Sequence, residues 1–291
     1  MKKRTKRIMI IAAIASFVII TGAIGTITLA KIINKPASAS AGWQVVGELQ
    51  PFGVLNSYLN DQICSADKNQ NVWTYHGWDD IWKYERTEQT RWDNKVKIKS
   101  KITMRNITVD PNNLNNGIGI TRDTYKLYQG TGRFKGVSWK WDKNSFSNWP
   151  ELIDISAIWD KSTNRKAPPK FVYGMRRSDR KIIGAAYPFD NPELVEGIVE
   201  GTNYGIGVSP DGTKAIVATG NYDSNLHEYD IDTTGLIFTN EKQILIDEQP
   251  QLFPTYLGQH ELLFSIDTPK YGLNVWLAKD ISATIDSLNL K

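Results

Sequence analysis

Gly207-Val208-Ser209-Pro210-Asp211-Gly212-Thr213-Lys214 is the stretch that decides the fold. Proline presets the first central residue of a tight turn, aspartate tolerates the next, and Gly212 takes a left-handed position. The apolar strand Ala215–Thr219 follows, and then Leu226-His227-Glu228-Tyr229-Asp230. The unit is therefore strand, tight turn, strand, second turn, third strand. About 46 residues later the plan recurs: Phe253 to Gly258, the strand Glu261–Ser265, a Tyr271-Gly272 turn and Asn274–Asp280. Near the other end Ile63–Ala66, Asp67-Lys68-Asn69-Gln70 and Asn71–Tyr75 form the same hairpin. A β-rich period of ~40–50 residues is the mark of propeller blades.

The rest of the body agrees. Short β-branched and aromatic runs at Gln62–Ala66, Lys97–Val109, Tyr125–Gln129, Lys170–Met175, Lys181–Tyr187 and Glu261–Ile266 are separated by Gly, Pro, Asn and Asp clusters. No long amphipathic helix interrupts them. Many short strands with regular turns fit a sandwich, a barrel or a propeller, and the repeat favours the propeller. Residues 43–291 leave room for five or six blades.

Ser209–Lys214 with its following strand resembles the repeat of TolB-type and WD40-like β-propellers. Asn71-Val72-Trp73 and Asn274-Val275-Trp276 are similar to the third strand of such blades. The resemblance implies an all-β propeller and says little about activity.

Eight of the ten tryptophans fall between residues 73 and 159, where the repeat is least regular. Trp78-Asp79-Asp80-Ile81-Trp82 and Trp139-Lys140-Trp141-Asp142 alternate aromatic and polar positions, so a strand would place Trp139 and Trp141 on one face. Flat rings beside carboxylates suit sugars, whose C–H faces stack while their hydroxyls find hydrogen-bond partners. The plainer reading is that these rings fill the space between blades. Trp78, Asp79, Asp80, Trp82, Trp139, Trp141 and Asp142 are the expected ligand surface.

A second resemblance concerns catalysis. Asp110-Pro111-Asn112-Asn113-Leu114, Tyr125–Gln129 and the run from Trp139 to Trp149 resemble the opening blade of the five-bladed, invertase-like furanosidases. It implies Asp110 as nucleophile, Asp154 as transition-state stabiliser, and Glu196 or Glu200 as acid. Two carboxylates ~5–9 Å apart could support hydrolysis with retention or inversion. The plainer reading makes all of them turn carboxylates.

Other chemistry finds no foothold. His76, His227 and His260 lack metal-type spacing, so neither a zinc site nor any cofactor is expected. Asp67–Asn71 begins like a calcium loop, but Val72 stands where glycine is needed. Gly205-Ile206-Gly207 lacks a third glycine, and no nucleophile elbow or P-loop occurs. Cys64, the single cysteine, reads as a buried apolar residue.

The first seven residues, MKKRTKR, carry five positive charges, and an uncharged apolar run extends from Ile8 to Ala30. At ~1.5 Å per residue that run can cross a ~30 Å hydrocarbon core. Its basic flank would keep the N-terminus inside and export the remainder. Residues 1–30 thus read as a transmembrane anchor or a signal peptide cut near Ala41, residues 31–42 as a linker, and 43–291 as the propeller. The chain has 35 Lys+Arg and 31 Asp+Glu, but seven of the bases and none of the acids lie in 1–42. The body is mildly acidic, which argues against nucleic acid. The expectation is an extracytoplasmic binding or scaffolding module for a cell-surface glycan or an envelope protein. The alternative is a glycoside hydrolase acting on extracellular sugars.

Overall fold

A computed structural model describes residues 42–48, 62–76, 80–88, 91–142, 146–160, 167–220, 225–244, 251–268 and 272–281. The chain divides into two units, Met1–Ala37 and Ser38–Lys291, and every described residue belongs to the second. The apolar run Ile8–Ala30, the linker, Trp78, Asp79 and the tail beyond Ile281 lie outside the described residues. Among the described residues no helix is long and apolar enough to cross a membrane.

The described chain is all-β and forms a five-bladed propeller. Strand β1 (Trp43–Glu48) comes first but belongs to the last blade. The first blade is β2 (Gln62–Ala66), β3 (Val72–His76), β4 (Asp80–Glu88) and β5 (Arg91–Lys97). The second has β7 (Met104–Asp110), β8 (Asn113–Thr121), β9 (Leu127–Arg133) and β10 (Ser138–Asp142). A short β6 (Lys99–Ser100) lies parallel to β10 at its edge. The third is β11 (Leu152–Ile158), β12 (Phe171–Arg176), β13 (Ile182–Ala186) and β14 (Glu193–Leu194). The fourth is β15 (Thr202–Val208), β16 (Lys214–Gly220), β17 (Asn225–Ile231) and β18 (Phe238–Ile244). The fifth is β19 (Gln251–Gly258), β20 (Glu261–Thr268) and β21 (Gly272–Asp280), completed by β1.

Each blade begins at the centre. Strands β2, β7, β11, β15 and β19 start at residues 62, 104, 152, 202 and 251 and touch one another in a closed ring. Each is the inner strand of its sheet. All five carry a register skip against their second strand: between Ile63 and Ser65, Met104 and Asn106, Leu152 and Asp154, Asn203 and Gly205, and Leu252 and Thr255. A bulge adds an unpaired residue, sharpens the twist and re-aims side chains. Here it lets inner-strand polar groups reach the neighbouring blade. Ser65 Oγ accepts from Val109 N at 3.1 Å, and Ser156 Oγ accepts from Val208 N at 3.1 Å.

The deciding turn behaves as its chemistry requires. Gly212 has φ of +74°, Ser209 Oγ donates to Asp211 Oδ1 at 2.7 Å, and Thr213 N donates to the same oxygen at 3.0 Å. The turn is satisfied from within. Asp67 plays the same part in the first blade, accepting from Asn69 N, Asn71 N and Asn71 Nδ2.

Three expectations need correction. Lys97–Val109 is not one strand. Ile98 N donates to Ile81 O and Lys99 N to Val137 O, so the chain leaves the first blade, edges the second and only then enters β7. Tyr125 opens no strand; it has φ of +55° and sits in the turn before Leu127. Asn71-Val72-Trp73 leads into β3, the second strand of its blade, whereas Asn274–Trp276 does lie in a third strand, β21.

Trp139 and Trp141 stack at 5.1 Å between centroids and lie flat over Gly117, Gly119, Gly130 and Gly132. A Cβ at Gly130 would stand 2.4 Å from Trp141 Cζ3, so Gly130→Ala forces the stack apart. The expected cost is about 1–3 kcal/mol, read as a lower melting temperature. An unchanged melting temperature would show that the rings shift freely.

Candidate functional site

The inner strands end in the turns that lead to their second strands, and there the ring encloses a cavity of about 350 Å³. Residues of all five blades line it, which only the centre of a propeller allows. Its wall includes Ser65 of β2, Thr108 of β7, Ser156 of β11 and Thr255 of β19. Asn112, Asp211 and Gln259 come from the turns.

The wall's hydrogen-bonding capacity is largely unspent. Ser65 and Ser156 accept from the neighbouring backbone, and their hydroxyl hydrogens have no acceptor among the described residues. Thr108 and Thr255 make no side-chain hydrogen bond among the described residues, although they are only 6% and 8% exposed. Trp159 is buried at the wall, and its indole Nε1 has no partner among the described residues. Tyr256 adds a second ring, its hydroxyl pushed well above the usual range by burial and by Glu228. Lys68, exposed at the wall, has no ion pair among the described residues, and with the hydroxyl donors it suits an oxygen-rich ligand. Asp67 and Asp211 are the carboxylates of the wall; both are held by their own turns, and Asp211 Oδ2 also accepts from Gln259 Nε2 of the fifth blade at 2.8 Å.

The three acids of the catalytic expectation occupy different settings. Asp110 ends β7, in the second blade rather than the opening one, and is 4% exposed. Its Oδ1 accepts from Asn112 N at 2.8 Å and Asn113 N at 3.2 Å, closing the Asp-Pro-Asn-Asn turn. Burial raises its pKa, and those two hydrogen bonds oppose the rise. Asp154 lies in β11. Its Oδ1 accepts from Asn106 Nδ2 at 2.6 Å and from Ile155 N at 3.0 Å, and its Oδ2 from Ile206 N at 2.8 Å. It therefore ties together β7, β11 and β15. Burial pushes its pKa up to about 7 against those hydrogen bonds and the through-space effect of Arg105. Glu196 and Glu200 are exposed; Glu196 bridges to Ile237 and Glu200 precedes β15.

The aromatic expectation divides. Trp139 and Trp141 are 5% and 9% exposed, and their indole nitrogens donate inside the protein, to Gly136 O at 2.7 Å and Ser100 Oγ at 2.9 Å. They pack among Trp73, Tyr75 and Ile107, between the first two blades. Trp82 is partly buried, with Lys95 Nζ 4.3 Å from its ring centroid. Asp142 is exposed, and Asp80 begins β4. Trp159, Thr108 and Ser156 were not singled out by the sequence, because nothing local marks a residue that meets its partners across the ring. Among the described residues no group of three or more His, Cys, Asp or Glu side chains could hold a metal. Cys64 is buried, which raises its pKa.

No protein-family model matches the chain, and no curated protein matches it. Solved structures that it resembles include a luciferin-regenerating enzyme, at TM-score 0.49 and 9% identity over 81% of this chain and 95% of that one. A PQQ-bound aldose sugar dehydrogenase from Streptomyces coelicolor gives TM-score 0.48 and 9% identity over 83% and 98%. A chain of a nidogen/laminin complex gives 0.47 and 9% over 79% and 84%. Function is argued from this chain's own residues.

Proposed function

We propose that the protein is an extracytoplasmic binding module of the TolB or WD40-like kind, holding the end of a neutral cell-surface glycan in its central cavity. The supporting observation is the wall itself: the hydroxyls of Ser65, Thr108, Ser156 and Thr255, none of which donates to another described residue, line one space beside the ring of Trp159. Buried donors left unpaired carry a penalty of about 1–3 kcal/mol each, which a ligand or water can relieve. The volume suits about one sugar unit rather than a long chain. Export rests on the basic, apolar N-terminal segment of the sequence.

Hydrolysis is the weaker reading. Asp154 touches Asn106, and Asp110 lies four residues further along β7, ~13 Å at ~3.3 Å per residue. That backbone spacing, before side-chain reach is counted, lies beyond the ~5–9 Å wanted between catalytic carboxyl groups. Both acids are also bound by backbone donors that fix the fold.

The test is calorimetry on the full chain in detergent with a panel of neutral cell-wall and plant oligosaccharides, beside an assay for reducing-sugar release. Binding that falls at least tenfold in Trp159→Ala and Thr108→Val, with no sugar released, is the expected result. Release abolished by Asp110→Asn would install the hydrolase instead. Silence in both assays would remove sugars and leave an envelope protein as the partner.

A further inference from the structure

The opposite mouth of the ring, where second strands turn into third strands, has a different chemistry. Arg105 is the residue left unpaired by the bulge in β7. Its Nε is buried without a partner, and it makes no hydrogen bond or ion pair among the described residues. Its guanidinium carbon lies 4.8 Å from the Tyr125 ring centroid, and that of Arg177 lies 3.9 Å from the same centroid. The two cations are therefore within about 9 Å of each other. Arg180 stands 5.7 Å from the ring of Tyr204, itself the unpaired residue in the bulge of β15.

One of the three arginines has a carboxylate partner. Glu151 pairs with Arg177 at 2.9 Å across a half-exposed contact, and Asp179 is taken by Arg176 at 2.6 Å. Arg105 and Arg180 have no carboxylate partner among the described residues. Asp154 acts on Arg105 only through space, its oxygens being occupied by Asn106, Ile155 and Ile206.

We propose that Arg105, Arg177 and Arg180 form a second binding site, for a small oxyanion: a phosphate or a carboxylate. Like charges at this separation repel, and an anion between them turns the repulsion into attraction. Stacking on Tyr125 and Tyr204 holds the guanidiniums before the ligand arrives, so little rotamer freedom is lost on binding. A planar fork pairs two parallel N–H groups with the two oxygens of a carboxylate or phosphate. The body as a whole is mildly acidic, so a general positive field does not account for the cluster.

The experiment is titration calorimetry on the full chain with orthophosphate, pyrophosphate and digalacturonate as separate arms. At least one is expected to bind with a Kd below ~1 mM. Arg105→Gln and Arg177→Gln should each weaken that binding at least tenfold, while Lys242→Gln, on the exposed edge strand of the fourth blade, should not change it. Preference for the phosphates or for the uronate identifies the source of the anion, and either supports the site. Should Arg105→Gln fold poorly, Arg105→Lys keeps the charge without the fork and is expected to lose severalfold. Arg177→Gln, on an exposed turn, gives an independent reading. No binding by any of the three anions overturns the site, as does binding that both glutamine variants leave intact.

Discussion

Asp154→Ala is expected to lower the melting temperature by roughly 10 °C, at ~2–4 °C per kcal/mol for a chain of this size. The carboxylate accepts from Asn106, Ile155 and Ile206 and is 4% exposed, so its loss strands three donors where water does not reach. Unsatisfied buried donors cost about 1–3 kcal/mol each, and breaking a buried network about 3–5 kcal/mol. The expected sum, about 3–5 kcal/mol, is a large part of a domain's stability. A change below 3 °C would mean that the three inner strands do not depend on this side chain. Titration of the same residue supplies a second readout. Burial raises its pKa to about 7 in the folded protein from an ordinary value of 3.8. Between those pH values the native state holds a proton that the unfolded chain has released, so this group's contribution falls as pH rises through the window. The loss is on the order of 4 kcal/mol. Asp154→Asn does not titrate, and the advantage of wild type over it should therefore shrink from pH 4 to pH 8. An advantage that stays level or grows would refute the assignment.

Trp43→Ala has an effect of similar size for another reason. Strand β1 completes the fifth blade by pairing with β21, Trp43 opposite Asp280 and Val45 opposite Ala278. Trp43 is 2% exposed and packs with Ile216, Leu226, Tyr256 and Phe264 of the fourth and fifth blades. Its Nε1 also donates to buried Glu228 at 3.3 Å. Removing a buried tryptophan costs about 3–5 kcal/mol, and here it also loosens the strand that closes the ring. Melting and limited proteolysis of the full chain should both report it, with new cleavage in β1 and β21. Trp43→Phe keeps most of the packing and loses the hydrogen bond, so it should fall between wild type and alanine. Unaltered proteolysis in Trp43→Ala would show that the ring stays shut without this anchor.

What the sequence disclosed was what local chemistry controls. Ser209–Lys214 announces its turn because Pro210, Asp211 and Gly212 each meet a backbone requirement within six residues. Asp67 does the same through its own hairpin. Strands β8 and β9 were harder to see, because Gly117, Gly119, Gly130 and Gly132 look like turn residues. Their purpose, to leave room for Trp139 and Trp141, depends on a strand further along the chain. The same alternation that suggested an aromatic surface at Trp139 and Trp141 describes an outer strand packed against the next blade. The cavity was hidden for the plainest reason. Its hydroxyls come from four inner strands whose starts lie 42, 48 and 99 residues apart, and no short window contains two of them.

Closure by β1 also fixes an order of events. The first described strand finds its partner at Trp276–Asp280, more than 200 residues later. Until β21 has been synthesised, Trp43 has no sheet to join and the fifth blade has no outer edge. A chain that stops before β21 can build four blades but lacks the strand that β1 pairs with. Without that joint the fifth blade keeps an open edge, which is a template for pairing with another chain.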